Sequence, residues 1–284
     1  MTIHEAALQL RFSLFHVYDE REAGNIADLI MERVTGWQKI DRIVHKKVPL
    51  SVSQQKLLQD FTARLLQQQP VQYVLNEAWF YQLPLFVDEH VLIPRPETEE
   101  LADWLLKDPL TKSTYTSALD IGTGSGCIAL ALKKNAPWLS VHACDISAGA
   151  INVASKNAHS LAIDIQFHLL NILEASAWST LPMVDIIVSN PPYIPLSNQA
   201  FMATNVLAHE PALALFVADE DPLQFYHAIA SFALAKLSAQ GKLFFEIHEE
   251  MGAAVTALLH QHGFTEVLLK KDLQGKDRMV SARR

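Results

Sequence analysis

The residues best suited to chemistry form the corner Asn190-Pro191-Pro192-Tyr193, which follows the apolar run Val184 to Val188. Proline lacks a backbone N–H and pushes the residue before it toward extended geometry. The corner therefore presents two acceptors, the Asn190 side-chain oxygen and the Pro191 carbonyl. Two acceptors can hold both hydrogens of a planar NH₂ group and favour attack by its nitrogen, while Tyr193 offers a ring face. A plain strand-ending turn has the same residues, so a second motif must decide.

That second motif lies upstream, where the apolar stretch Ala118 to Ile121 leads into Gly122-Thr123-Gly124-Ser125-Gly126 and an apolar run from Cys127. This order predicts a buried strand, a tight turn and a helix. Glycines at alternate positions let the backbone turn sharply and approach a ligand closely. The next predicted strand, Leu139 to Cys144, is followed by Asp145. A carboxylate at that strand end binds a ribose diol in doubly wound folds.

The residues after the glycine turn discriminate among ligand classes. A phosphate-binding P-loop closes its glycine run with Lys-Ser or Lys-Thr, whereas Cys127-Ile128 stands here. A dinucleotide fingerprint needs its third glycine one position after Gly126, at the place of Cys127. S-adenosylmethionine carries an adenosine without a phosphate, so the turn and the acid suffice for it, and its methyl group needs a nucleophile beside it. The two motifs together favour S-adenosylmethionine.

Further segments resemble a known family in the same order: Pro70 to Tyr73, Leu92 to Glu99, Glu210 to Leu213, and Asp277-Arg278. With these segments the chain is similar to class I S-adenosylmethionine-dependent methyltransferases. It resembles more narrowly the HemK-type glutamine methyltransferases, which modify peptide chain release factors. The resemblance extends over nearly the whole chain and is strongest from Pro70 to Tyr193.

The resemblance implies a role for each motif residue. The implied cofactor contacts are those of the glycine turn, the ribose acid and two asparagines: Gly122, Thr123, Gly124, Ser125, Gly126, Asp145, Asn171 and Asn190. The implied catalytic and glutamine-binding residues are Asn190, Pro191, Pro192 and Tyr193. The family commonly has an acid beside the adenine where this chain has Asn171-Ile172, and an asparagine can also accept from or donate to the adenine edge. The implied product of the cofactor is S-adenosylhomocysteine.

The expected reaction is methyl transfer to the side-chain amide nitrogen of the glutamine in the Gly-Gly-Gln motif of class I release factors. A glutamine of a ribosomal protein remains an alternative substrate. The exocyclic amino groups of DNA or rRNA bases are a second alternative, because they are also planar NH₂ groups. A scaffold that retains the fold without catalysis is the third.

Composition limits the partners and the compartment. The chain has 31 acidic and 23 basic side chains and a formal net charge of −8, whereas a protein that grips nucleic acid through its phosphates needs a basic face. We therefore expect no direct binding of nucleic acid. No apolar run approaches the roughly 20 residues of a membrane span, and the start lacks the pattern of a secretion signal. The two cysteines read as reduced core residues, and the twelve histidines show no metal-ligand spacing. We expect a cytoplasmic protein without a metal.

The elements that must position these residues fall into three parts. Residues 1–70 carry apolar side chains at helical spacing, which predicts a small helical bundle that recognises the protein substrate. Residues 71–94 contain alternation typical of a β-hairpin and form a predicted linker. Residues 95–284 form the predicted methyltransferase domain.

The third part alternates strand and helix, which predicts an α/β, Rossmann-like class I methyltransferase fold with a mostly parallel seven-stranded sheet. Ligands of such folds bind at the carboxyl ends of the strands. The last two predicted strands, Glu266 to Leu269 and Arg278 to Ser281, are joined without a helix. We therefore expect them to form an antiparallel pair at one edge of the sheet.

Overall fold

The computed structural model describes residues 1–113 and 116–284. The chain divides into two compact units. The first unit comprises Met1–Asn76 and Ala203–His209, and the second comprises Glu77–Met202 and Glu210–Arg284. Within the described residues, no helix combines the length and the apolar character that crossing a bilayer requires.

The first unit is helical. Its helices are α1 (Ile3–Leu14), α2 (Glu20–Thr35), α3 (Lys39–Val44), α4 (Val52–Leu66), α5 (Val71–Leu75) and α9 (Thr204–His209). Apolar side chains from α1, α2 and α4 form a shared buried core, in which Leu10, Ile30 and Leu65 are almost fully inaccessible to solvent. The helical spacing of the sequence thus predicts this bundle correctly.

Side-chain caps fix where the helices of the first unit begin. Thr2 and Ser51 each accept from the backbone N–H three residues later, while Glu5 and Gln54 bond back to the cap residue. Asp19 caps α2 in the same way through the N–H of Glu22. Such caps satisfy backbone donors that no helical carbonyl can reach.

The second unit is built on a seven-stranded sheet. The strands of the unit are β1 (Ala78–Phe80), β2 (Leu83–Leu85), β3 (Ser117–Ile121), β4 (Ser140–Asp145), β5 (Gln166–Leu169), β6 (Val184–Ser189), β7 (Ile194–Pro195), β8 (Phe216–Val217), β9 (Leu237–Glu246), β10 (Thr265–Lys271) and β11 (Asp277–Arg283). The order in the large sheet is β10-β11-β9-β6-β3-β4-β5. The strands from β9 to β5 are parallel, while β11 runs antiparallel to both β9 and β10. The predicted fold class and edge pair are confirmed.

Helices cover both faces of this sheet. They are α6 (Pro96–Lys107), α7 (Cys127–Asn135), α8 (Ala148–Leu161), α10 (Ala212–Leu215), α11 (Gln224–Lys236) and α12 (Gly252–Gln261). Neighbouring residues of one strand pack into different cores: Phe244 lies with side chains of α6 and α7, and Phe245 with those of α11 and α12. Strand side chains alternate between faces, so both faces of the sheet are buried, as the apolar strands require.

Short elements complete the second unit. β1 and β2 form the predicted hairpin, and its two turn residues, Tyr81 and Gln82, both have positive φ. β7 and β8 form a separate two-stranded parallel sheet, which has no recognisable pattern in the sequence because each strand is only two residues long.

Candidate functional site

The sheet order brings the two sequence motifs to adjacent strand ends. The chain runs from β3 to β4 on one side and returns to β6 on the other side of β3, so the order of the strands reverses at β3. Ile121 and Ser189 are paired at the ends of these strands, and the Ser189 hydroxyl donates to the Ile121 carbonyl at 2.7 Å. Such a switch point is where open α/β sheets bind their ligands.

A largely apolar cavity opens at this edge. Most of the predicted site residues line it: Gly122, Thr123, Gly124, Ser125, Asp145, Asn171, Asn190, Pro191 and Pro192. Gly126 and Tyr193 are not among its lining residues. One concave site thus collects side chains that are up to 70 residues apart in the sequence.

The glycine turn depends on backbone angles that side chains disfavour. Gly122, Gly124 and Gly126 have φ of 72°, 56° and 82°. The N–H groups of Gly122 and Thr123 both donate to the Cys144 carbonyl, which ties the turn to β4. A Cβ on Gly126 would lie 3.2 Å from the Ala154 Cβ and 3.2 Å from a Leu130 methyl. Gly126 therefore lets α7 begin in close contact with α8, which explains why it lies outside the cavity wall.

Asp145 is the last residue of β4 and holds the turn from the other side. Its carboxylate accepts from the N–H of Gly124 and from the N–H of Ser147, both at 2.9 Å. Burial raises the pKa of Asp145, and these backbone donors partly oppose that rise. Each carboxylate oxygen still has a second lone pair. Asp145 thus keeps acceptor capacity at the cavity wall, and its role in holding a ribose stays a prediction.

Asp120 supports the turn from beneath. It is buried within β3, and its Oδ2 accepts from the Thr123 hydroxyl at 2.7 Å. Burial raises the pKa of Asp120 to about 7. No sequence pattern predicts a role for Asp120, because a single acid within an apolar strand has no periodicity of its own.

The loop after β5 forms the opposite wall of the cavity. Asn171 Oδ1 accepts from the N–H of Leu173, and its Nδ2 donates to Glu174 at 3.2 Å. These local bonds shape the loop, so the Asn171 side chain is already partnered while it lines the cavity. Ile172 adds an apolar contact surface beside it. The adenine role of Asn171 stays a prediction.

The Asn190 side chain is held from α6. Its Nδ2 donates to the hydroxyl of Thr98 at 3.2 Å, and that hydroxyl donates to Glu246 Oε2 at 2.7 Å. Pro191 is buried and lines the cavity with Asn190. Neither Thr98 nor Glu246 was singled out as a site residue from the sequence, since the two are 148 positions apart.

Tyr193 turns toward the core of the second unit. Its hydroxyl donates to Glu246 Oε1 at 3.4 Å, and its ring lies 6.0 Å from that of His248. Burial and the Glu246 charge raise the pKa of Tyr193. The residue therefore supports the corner from behind, and its predicted role as a stacking face stays a prediction.

An ion pair anchors the segment that precedes α6. Arg95 donates to Glu210 Oε1 at 2.6 Å, and the N–H of Ile93 donates to Glu210 Oε2 at 3.2 Å. Because Pro94, Arg95 and Pro211 all line the cavity, this buried carboxylate joins two parts of its rim.

Asn157 supports the glycine turn from the core side. Its amide donates to the Ser125 carbonyl at 2.9 Å.

Two other groups of reactive side chains reach the cavity wall, the two cysteines and a turn that includes His90. Cys127 and Cys144 are buried free thiols, and burial raises the pKa of Cys127 to about 12. Asp88, Glu89 and His90 bring three potential metal ligands within 4.8 Å of one another. These are consecutive residues on an exposed turn, and His90 already bonds Asp88.

Two family models match the chain. A model described as the PrmC N-terminal domain matches residues 6–75. A model described as the methyltransferase small domain matches residues 100–216. The second range includes the glycine turn, Asp145 and the Asn190 corner.

Curated relatives align over almost the full length. The chain is 40% identical over 282 residues to the release factor glutamine methyltransferase of Flavobacterium psychrophilum, covering 99% of this chain and 98% of the relative. It is 39% identical over 275 residues to the enzyme of the same name from Bacteroides thetaiotaomicron, covering 97% and 98%.

A solved methyltransferase from Pyrococcus furiosus is similar in fold, with a TM-score of 0.51 and 16% identity over 78% of this chain and 96% of that one. This likeness concerns the fold alone. Full-length identity near 40% to two curated relatives, together with the paired domain models, goes further: the chain belongs to the release factor glutamine methyltransferase family.

Proposed function

We propose that this chain transfers a methyl group from S-adenosylmethionine to the side-chain amide nitrogen of the glutamine in the Gly-Gly-Gln motif of class I release factors. One observation carries the proposal: Asn190, Pro191 and Pro192 of the acceptor-rich corner line the same cavity as the glycine turn and Asp145. Family membership supports the same substrate. The proposal places the protein in the cytoplasm, where release factors act.

The cavity residues fit S-adenosylmethionine by their chemistry. Asp145 offers paired acceptors for ribose hydroxyls, and the positive φ of Gly122 and Gly124 lets the backbone approach the ligand without a Cβ between them. Apolar groups such as Ile146 and Ile172 line the cavity beside Asn171 and suit an adenine face. The bound molecule would supply a methyl group on a positively charged sulfur.

The chain itself contributes position and charge. An amide nitrogen is a poor nucleophile because its lone pair is delocalised into the carbonyl. The Asn190 oxygen and the Pro191 carbonyl would accept its two hydrogens and hold the nitrogen toward the methyl group. As positive charge develops on that nitrogen, the same oxygens stabilise it. The nitrogen then loses its extra proton to water after the charge has left the sulfur, so no strong base is needed before attack.

The direct test is methylation of a purified release factor with radiolabelled S-adenosylmethionine. We expect label in the release factor and none in a variant whose Gly-Gly-Gln glutamine is replaced by alanine. Ribosomal proteins, rRNA and DNA serve as competing acceptors in parallel reactions. Label in one of these but not in the release factor would overturn the proposed substrate, and label in none would favour a scaffold without catalysis.

Substitution of Asn190 tests the acceptor corner. Asn190→Ala removes one oriented acceptor, so we expect kcat to fall by ~10²- to 10³-fold, by analogy with the loss of one oxyanion-hole donor. Asn152→Ala is the matched control, because Asn152 is an exposed asparagine on α8. Wild-type turnover by Asn190→Ala would show that the corner does not act as we propose.

A further inference from the structure

The hydroxyl of Thr98 connects the acceptor corner to a buried acid. Thr98 lies in the first turn of α6 and is 3% exposed. Its Oγ1 lies 2.7 Å from Glu246 Oε2 and 3.2 Å from Asn190 Nδ2. Glu246 ends β9 and is 1% exposed. Three buried or half-buried polar groups from α6, β9 and the corner after β6 thus form one chain of hydrogen bonds.

While Glu246 is ionised, counting protons along this chain of hydrogen bonds fixes the orientation of the Asn190 amide. An ionised carboxylate can only accept, so the single hydroxyl proton of Thr98 goes to Glu246. Toward Asn190, the Thr98 oxygen can then only accept. The amide must therefore turn its NH₂ group to Thr98, because the reverse orientation would oppose two acceptor oxygens. This leaves Asn190 Oδ1 as the atom that faces a substrate.

From this geometry we propose that Thr98 and Glu246 are positioning residues, which hold the Asn190 amide with its oxygen toward the substrate nitrogen. The inference rests on the proposed function, since only a substrate that carries an NH₂ group needs an acceptor at that point. A flipped amide would present two N–H donors to the two N–H donors of the glutamine. The orientation of the Asn190 amide therefore decides whether the corner attracts or repels its substrate.

The surroundings of Glu246 support this assignment. Burial raises the pKa of Glu246 to about 7, while the bond from Thr98, the charge of Arg278 and the bond from Tyr193 favour the ionised form and Glu97 opposes it. Tyr193 bonds the second carboxylate oxygen. The backbone carbonyl of Glu246 also accepts from the Tyr226 hydroxyl at 3.1 Å. The Glu246 carboxylate thus contacts both ends of the corner. It reaches Asn190 through Thr98 and bonds Tyr193 directly.

Two variants at position 98 separate the hydroxyl from the shape of the side chain. Thr98→Val keeps the branched shape and loses the hydroxyl, whereas Thr98→Ser keeps the hydroxyl. We expect Thr98→Val to lower kcat for release factor by ~10- to 100-fold, the effect of losing one well-placed hydrogen bond in the transition state. We expect its KM for release factor and its calorimetric Kd for S-adenosylmethionine to stay within about twofold of wild type. Thr98→Ser should recover most of the lost kcat.

Thr111→Val is the matched control. Thr111 is equally buried, and its hydroxyl donates to the Leu105 carbonyl at 2.6 Å. Its loss should lower the Tm by a similar amount and leave kcat unchanged. If Thr111→Val lowers kcat as much as Thr98→Val does, the effect of Thr98 is one of general stability and the positioning role is wrong.

A double-mutant cycle with Asn190→Ala tests whether Thr98 acts through Asn190. If it does, Thr98→Val should cost little further kcat once the amide is absent. Equal losses in both backgrounds would overturn the proposal, as would wild-type turnover by Thr98→Val. The wild-type reaction separates a failure of the proposed function from a failure of the positioning role. If the wild-type chain methylates no release factor, the proposed function is wrong and the positioning role falls with it. Methylation that is unaffected by Thr98→Val removes the inference alone.

Discussion

At the scale of single residues, the site concentrates buried acids around the cavity for which we propose a cationic methyl donor. Asp120, Asp145 and Glu246 all have raised pKa values, and burial is the largest cause for each. Hydrogen bonds from Thr123 and Thr98 partly offset that cost. Such groups weaken the fold at neutral pH while they orient the turn and the corner, which is the usual trade between stability and function.

The pKa of Glu246 makes stability depend on pH in a defined direction. It rises from an ordinary 4.5 to about 7 in the folded chain. The folded state therefore binds a proton that the unfolded state releases, and this contribution is present below about pH 4.5 and lost as the pH rises through 7. We expect Glu246→Gln, which cannot ionise, to gain about 2 to 3 kcal/mol relative to wild type between about pH 4.5 and 8.

Urea unfolding at a series of pH values measures this difference. Glu220→Gln is the control, because Glu220 is exposed and its replacement should leave the pH profile parallel to that of wild type. A Glu246→Gln profile that also runs parallel to wild type would contradict the raised pKa.

At the scale of elements, the turn between β3 and α7 lines the cavity, where we propose that it binds the cofactor, and it lets two helices pack closely. Gly126 serves the second purpose, since α7 starts there against Ala154 of α8. Gly122 and Gly124, on the exposed side of the turn, serve the proposed binding of the cofactor. A Cβ at either position would meet no protein atom within 4 Å. Glycine is thus required at Gly126 by helix packing and favoured at Gly122 and Gly124 by the open side of the turn.

Alanine at Gly126 should cost more than alanine at a glycine in open space. Gly126 and Gly263 have φ of 82° and 86°, but only at Gly126 would an added Cβ meet other atoms within 4 Å. Both substitutions carry the left-handed backbone cost of about 1 to 2 kcal/mol. Gly126→Ala adds overlap with Ala154 and Leu130, for which we expect ~1 to 3 kcal/mol more, and weaker binding of S-adenosylmethionine.

The free energy of unfolding and the calorimetric Kd for S-adenosylmethionine check this pair. Gly263→Ala should lower the free energy of unfolding and leave the Kd for S-adenosylmethionine unchanged. Equal free energies of unfolding for the two variants would mean that α7 and α8 accommodate the added methyl group without a loss of stability.

At the scale of the whole molecule, the chain combines two units whose sequences match separate family models. The cavity is lined entirely by residues of the second unit. A single glutamine side chain offers too little surface for selection of a protein substrate. We therefore predict that the first unit recognises the release factor.

Removing residues 1–76 tests this division of labour. The shortened chain should bind S-adenosylmethionine with near wild-type Kd, because every cavity residue remains, and should lose methylation of intact release factor. Calorimetry and the radiolabel assay measure the two properties separately. Loss of both would mean that the first unit is needed for the fold of the second, and retention of both would mean that it does not select the substrate.

Sequence patterns alone predict the seven-stranded sheet with its antiparallel edge, the helical first unit, the glycine turn and the acid at the end of β4. These features come from local periodicity and turn chemistry, which neighbouring residues decide. The contacts that hold the Asn190 corner and the cavity rim become visible only in the folded chain. The bonds from Thr98 to Glu246 and from Arg95 to Glu210 join residues 148 and 115 positions apart. Long-range bonds of this kind depend on how strands and helices stack, and a buried polar residue has no sequence period that reveals its partner.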